Sequence, residues 1–327
     1  MNPTLEQLVD AMFDEIGPLA TTNALLIVYR GEVVAERYAG TLAHLDRPAE
    51  PIGAETLLLS WSMAKSMLHA VVGMLQADGV LDVAAPAPVP AWQADERRSI
   101  TVEHLLEMRD GLAWAEDYVE AGRSDVIEML FGSGSSDVAA YAESRKLAAV
   151  PGERFCYSSG TTNIVSAIVG RTIGGRDAVE AFLADRLFGP TAMTTARATF
   201  DAAGTWVASS YVHATTRDFA RFGELYLHDG VAGGLRLLPE GWVDHGRRPL
   251  SVDPEDGKLY GAHWWVTGDE HGSFWAAGYE GQSILISPDL DLVVVRLGKT
   301  PAERGTHLFA WRAAVVGAVA VDATKGR

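Results

Sequence analysis

Ser62-Met63-Ala64-Lys65 is the first group of residues able to do covalent chemistry. It opens an apolar stretch running to about Ala77, with Met63, Met67, Ala70, Val71, Met74 and Leu75 at helical spacing. Residues three apart share a helix face, so Ser62 and Lys65 are neighbours. Ser62 would also sit in the first turn, where free N–H groups and the helix dipole favour a developing anion. A serine becomes a nucleophile beside a base, and a desolvated lysine can serve as one. Lysine is scarce here (Lys65, Lys146, Lys258, Lys299 and Lys325), and only Lys65 has a serine three residues before it. A surface helix with a snorkelling lysine is the competing reading.

Tyr157-Ser158-Ser159 is the second group. A tyrosine hydroxyl near a lysine ammonium would have its ionised form favoured, making it a general base and later an acid. Alternatively Tyr157 packs against the following helix while Ser159 or Thr161 caps it. The third group, Ala276-Ala277-Gly278-Tyr279-Glu280-Gly281-Gln282, leads into a strand at 283–287. Glycines there mark either close approach of a ligand to the backbone, as an oxyanion hole needs, or a bulge.

These groups need a frame. The chain has 327 residues, 48% hydrophobic and 21% charged. That is large for one hydrophobic core, so two lobes are expected. The net charge of −16 argues against general binding of nucleic acid or anionic membranes. A single cysteine, Cys156, excludes an intrachain disulfide and a cysteine-based zinc site. It reads as an inert thiol. No apolar run is long enough to span a membrane. Residues 1–17 read as an amphipathic acidic helix rather than a secretory signal, so a cytoplasmic location is expected.

Residues 23–29 and 33–38 flank Arg30-Gly31 as a hairpin, and residues 281–287 and 292–297 form another around 288–291. A helix follows at 302–321. The middle is helical in pattern at 101–108, 124–131, 138–145, 161–173 and 177–187, with Thr101 as an N-cap. The expected organisation is an α/β lobe from residues 1–83 and 204–327, with a mainly helical lobe, 84–203, inserted.

The order of the three groups, Ser-x-x-Lys, Tyr-Ser-Ser and a glycine-rich strand before a C-terminal hairpin and helix, resembles the serine β-lactamase-like hydrolases. Within them it is most similar to the class C β-lactamase-related esterases and 6-aminohexanoate-dimer hydrolases. Residues 105–118, 151–163, 209–238 and 278–297 resemble that branch too. The resemblance implies an α/β (α+β) fold of the β-lactamase/transpeptidase type, an antiparallel sheet flanked by helices. It implies Ser62 as the acylated nucleophile, Lys65 as the base or as the cation acting on Tyr157, and Tyr157 as the general acid/base. The backbone N–H groups of Ser62 and Tyr279 would form the oxyanion hole, with Ser159 and Gly278 in support. Tyr118 would lie on a loop over the substrate, an ordinary exposed loop tyrosine being the competing reading. Trp275, one of the aromatics beside these motifs, is read either as a wall of an apolar acyl pocket or as core.

Two positions depart from the β-lactamase pattern. Ser159 stands where those enzymes carry asparagine, and Ala276-Ala277-Gly278 stands for Lys-Thr-Gly. Without the strand lysine, and with an acidic surface, neutral or cationic esters and linear amides are the expected small-molecule substrates. A β-lactamase or D-amino-acid peptidase is an alternative, and a catalytically silent binding protein is another. No metal-ligand spacing, dinucleotide fingerprint or Gly-x-Ser-x-Gly elbow occurs, so no cofactor or metal is expected.

Overall fold

The β-rich runs near the two ends pair with one another. In the computed structural model, which describes residues 3–14, 21–43, 48–118 and 124–325, β1 (Thr21–Tyr29) and β2 (Glu32–Tyr38) form the expected hairpin. β3 (Ser251–Val252), β4 (Leu259–Tyr260), β5 (Trp265–Val266), β6 (Phe274–Gly278), β7 (Gln282–Ser287) and β8 (Leu292–Lys299) complete an antiparallel sheet. Its order is β3-β4-β5-β6-β7-β8-β1-β2. β8 lies against β1, with Val295 opposite Leu26, so the two ends of the chain share one sheet.

Side chains alternate across each strand, and both sheet faces are covered. One face presents Leu25, Ile27, Trp275, Leu285 and Val294 to α1 (Leu5–Met12) and α10 (Gly305–Lys325), through Leu8, Met12, Leu308, Trp311 and Val315. The other presents Leu26, Phe274, Ala276, Ile284, Val293 and Val295 to a larger cluster. That cluster runs on through α2 (Ala64–Ala77), α3 (Val102–Leu106), α4 (Asp125–Phe131), α5 (Val138–Glu143), α6 (Ser159–Ile173) and α7 (Arg176–Phe182). α8 (Thr216–Leu227) and α9 (Trp242–Arg247) belong to it as well. Each buried Leu, Val, Ile or Phe contributes on the order of 1.5–3 kcal/mol, so this double-sided burial dominates the stability. α8 can lie close to the sheet because a Cβ at Gly223 would come within 2.6 Å of Val293.

Helix starts follow their caps. Thr101 and Ser124 accept the backbone N–H of His104 and Ile127, as Ser/Thr N-caps do. The first helix is shorter than the 1–17 pattern: Phe13 caps α1, and residues 1–2 and 15–17 lie outside the described residues. α6 begins at Ser159, earlier than its apolar periodicity implies. Ser158, not Ser159 or Thr161, is the N-cap and accepts the Thr161 N–H at 2.9 Å. The helical pattern at 177–187 divides into α7 and a π-turn at Leu183–Phe188. Among the described residues no helix is long and apolar enough to cross a membrane.

Candidate active site

Trp61–Met63 form a tight helical turn that runs directly into α2, and Ser62 and Lys65 share the first face of that helix. Trp61 has φ of 46°, a left-handed conformation costly for a side chain of this size, about 1–3 kcal/mol. The Ser60 hydroxyl and backbone are tied to Ser210 and Val212, which fixes this turn from behind. α2 then buries Lys65 almost completely, at 2% exposure.

All three ammonium protons of Lys65 have acceptors. Nζ donates to Ser62 Oγ at 3.0 Å, to Ser159 Oγ at 3.0 Å and to the Ser209 carbonyl at 2.9 Å. Asn163, one turn into α6, holds Ser209 by accepting its N–H at 3.1 Å and donating to its hydroxyl at 3.2 Å. Burial lowers the pKa of Lys65 to about 8, while the Glu116 carboxylate pulls in the opposite direction. A neutral amine beside Ser62 is therefore accessible near neutral pH.

Tyr157 ends the segment leading into α6, and the Lys65 ammonium lies 5.0 Å from its ring centroid. The phenolate expected from the lysine's proximity is not favoured here. Burial, and then the Glu116 charge, raise the pKa of Tyr157, with only the nearby Ser62 acting against them. Tyr157 is thus a half-buried, neutral phenol, suited to giving a proton before taking one. Trp265, with centroids 5.4 Å apart, and Tyr260 at 5.9 Å complete its surroundings.

The end of β6 meets the Ser62 turn from the sheet side. A Cβ at Gly278 would lie 2.5 Å from the Ser60 carbonyl oxygen, so this close approach requires glycine. Tyr279 follows, its ring edge-on to Trp61 at 5.4 Å. Glu280 has φ of 58°, and the turn is held by Arg296, which donates to the Glu280 and Gly281 carbonyls at 3.1 and 3.2 Å. Tyr118 stacks on Tyr279 at 4.9 Å, beside the nucleophile turn.

Trp275 is elsewhere, which corrects the expectation that it walls an acyl pocket. Alternation along β6 puts Phe274, Ala276 and Gly278 on the Ser62 side and Trp275 on the opposite face. There it is 2% exposed, stacked on Trp265 and packed against Phe309 and Arg312. Cys156 is half-buried and its thiol is pushed up to about 11 by burial, which suits no nucleophilic role. The described residues contain no cluster of three His, Cys, Asp or Glu able to hold a metal ion.

Sequence reasoning missed Glu116. Its carboxylate accepts the Ser159 N–H at 2.9 Å and the Ser159 hydroxyl at 2.5 Å. It also accepts the Tyr118 hydroxyl and the Trp114 indole N–H, both at 2.5 Å. The signal available in the sequence was only a carboxylate two residues before Tyr118.

A family model described as Beta-lactamase matches residues 19–318. A 6-aminohexanoate-dimer hydrolase of Paenarthrobacter ureafaciens is 30% identical over 308 residues, which is 88% of this chain and 74% of that protein. Two solved structures share the fold at low identity. One is an octameric penicillin-binding protein homologue from Pyrococcus abyssi (TM-score 0.73, 18% identity, 95% of this chain and 76% of that one). The other is a family VIII carboxylesterase (TM-score 0.71, 15% identity, 96% and 98%).

Proposed function

Given that the chain belongs to the β-lactamase family, we propose that it is a serine hydrolase working through an acyl-enzyme on a neutral or cationic carboxylic ester or linear amide. The observation carrying this reading is the contact of Lys65 Nζ with Ser62 Oγ at 3.0 Å inside a buried site. Ser62 Oγ bonds to the acyl carbon as its proton passes to neutral Lys65. The C–O or C–N bond then breaks as Tyr157 gives its phenolic proton to the leaving group, and Lys65 returns a proton to Tyr157. Water then attacks the acyl-enzyme by the reverse sequence: Tyr157 passes its proton to Lys65 and takes one from the water, and Lys65 gives a proton to Ser62 Oγ as the acyl C–O bond breaks. The N–H groups of Ser62 and Tyr279 are our assignment for the oxyanion hole, supported by the approach of Gly278 to Ser60.

The substrate class rests on what the site lacks and on the overall charge. Ala276 and Ala277 stand on the strand that flanks the nucleophile, and the chain carries −16. A substrate carboxylate would find no strand cation there. The named activity of the 30% identical relative supports a linear amide, and the fold shared with a carboxylesterase is compatible with an ester. We retain the division into residues 1–83 with 204–327, and 84–203. Its support is that every strand of the main sheet lies in the first part and α3–α7 lie in the second.

A fluorophosphonate probe tests the assignment. Labelling of the wild type and none of Ser62→Ala is expected; equal labelling of both contradicts it. Turnover of p-nitrophenyl acetate far above that of nitrocefin is expected, and the reverse preference contradicts the substrate class.

A further inference from the structure

Glu116 reaches the catalytic lysine without touching it. The Lys65 ammonium donates to Ser159 Oγ at 3.0 Å, and that same hydroxyl donates to Glu116 at 2.5 Å. The hydroxyl proton can serve one acceptor only, so its direction is fixed: Ser159 accepts from Lys65 and gives to Glu116. A donor bond to a carboxylate is of the stronger, charge-assisted kind. The Ser159 N–H, in the first turn of α6, donates to the other carboxylate oxygen at 2.9 Å, which locks the pair in a two-point contact.

The loop carrying Glu116 is held to α6 independently of these bonds. Asp110 accepts the Leu112 N–H at 2.7 Å and the Thr161 hydroxyl at 2.7 Å, and Asp125 accepts the Ala115 N–H at 2.9 Å. A Cβ at Gly160 would collide with the Trp114 ring, so that loop is seated directly on the helix start. The oxygen that receives Ser159 also receives the Tyr118 hydroxyl at 2.5 Å, and Tyr118 stacks on Tyr279. One carboxylate thus joins the lysine of one helix to an aromatic side chain at the turn after β6.

We propose that Glu116 is a positioning residue for acyl transfer: acting through the Ser159 hydroxyl, it holds the Lys65 ammonium against Ser62 and at the same time anchors Tyr118 on Tyr279. This rests on the serine-hydrolase reading above. Other groups facing Lys65 do not supply the charge. Tyr157 is a neutral phenol, with Tyr260 behind it. His263 is kept neutral by burial, with its pKa lowered to about 3, and His69, one turn along α2, is also kept neutral by burial. Glu116 is the anion that opposes the desolvation of Lys65 and that raises Tyr157.

Glu116→Gln preserves shape and removes the charge. The rising limb of kcat/KM against pH should move down by about one unit, because an opposite charge this close shifts a pKa by about 1–3 units. kcat at the wild-type optimum should fall by about tenfold, and Glu116→Asp should restore most of the limb. An unmoved limb with kcat within about twofold of wild type would overturn the proposal. Should Glu116→Gln fail to fold, Ser159→Ala carries the test: a tenfold or greater loss in kcat is expected, and full activity overturns it. Fluorophosphonate labelling separates the two levels. Absence of labelling in the wild type defeats the hydrolase reading itself, whereas normal labelling with an unmoved limb defeats only the role of Glu116.

Discussion

Gly278→Ala probes the oxyanion hole through a single methyl group. Gly278 has φ of −129° and ψ of 160°, an extended backbone that alanine adopts without strain. The effect must therefore come from contact. The new Cβ would lie 2.5 Å from the Ser60 carbonyl oxygen and 2.9 Å from Gln282 Cβ. Ser60 is clamped by Ser210 and Val212, and Gln282 is tied to Gly298 by paired hydrogen bonds, so neither neighbour yields easily. Ordinary contact requires a retreat of about 0.9 Å, most of it at the end of β6, which carries the Tyr279 N–H. Displacing an oxyanion donor by that distance should lower kcat by about 10²-fold, on the order of 2.7 kcal/mol in the transition state, with KM changed by less than about threefold. Steady-state hydrolysis of p-nitrophenyl acetate reads both parameters. Gly53→Ala is the control, since nothing lies within 4 Å of a Cβ there. A folded Gly278→Ala enzyme with kcat within twofold of wild type would refute the reasoning, as would an equal loss in the control.

Three further outcomes follow from the same geometry. With Lys65 near 8, kcat/KM should climb about tenfold from pH 7 to pH 9 and then level; a profile still rising steeply at pH 10 would mean that the lysine keeps its ordinary value. Tyr157→Phe should reduce kcat by about 10²-fold or more while KM stays close to wild type, because the phenol moves a proton and is not a binding contact; a change confined to KM contradicts its role. Arg296→Met removes the side-chain donor from the Glu280, Gly281 and Thr21 carbonyls, of which Glu280 keeps the Thr300 N–H, and should cost about 3 kcal/mol of stability, read as a lowered midpoint in urea, together with a loss of kcat; an unchanged midpoint would show that the turn holds itself.

What could be read in advance follows the range of the interactions. Ser62 and Lys65 are three residues apart on one helix, so local periodicity alone pairs them. The hairpins around Arg30-Gly31 and 288–291 carry their own turn residues. Tyr157 is brought to Lys65 only by the packing of α6 on α2, and its place came from resemblance, not from spacing. Trp275 was misplaced although strand alternation determines its face: with Gly278 toward Ser62, a residue three positions earlier must point away. The early start of α6 was hidden because its first residues are polar, bonded to a loop some forty residues upstream and not to the core. Glu116 was illegible for the same reason. Its partners are Ser159 and Tyr118, and only the docking of that loop on α6 turns an ordinary acidic residue into a counter-charge for the lysine.

The covalent intermediate is the most direct measurement of the central claim. Mixing the enzyme with excess p-nitrophenyl acetate, quenching in acid and determining the intact mass should reveal one acetyl group per chain, placed on Ser62 by peptide mapping. It should be absent from Ser62→Ala and should accumulate with a burst of p-nitrophenol wherever deacylation is slower than acylation. Hydrolysis that proceeds undiminished in Ser62→Ala, or an acetyl group mapped to any other residue during turnover, would contradict the account.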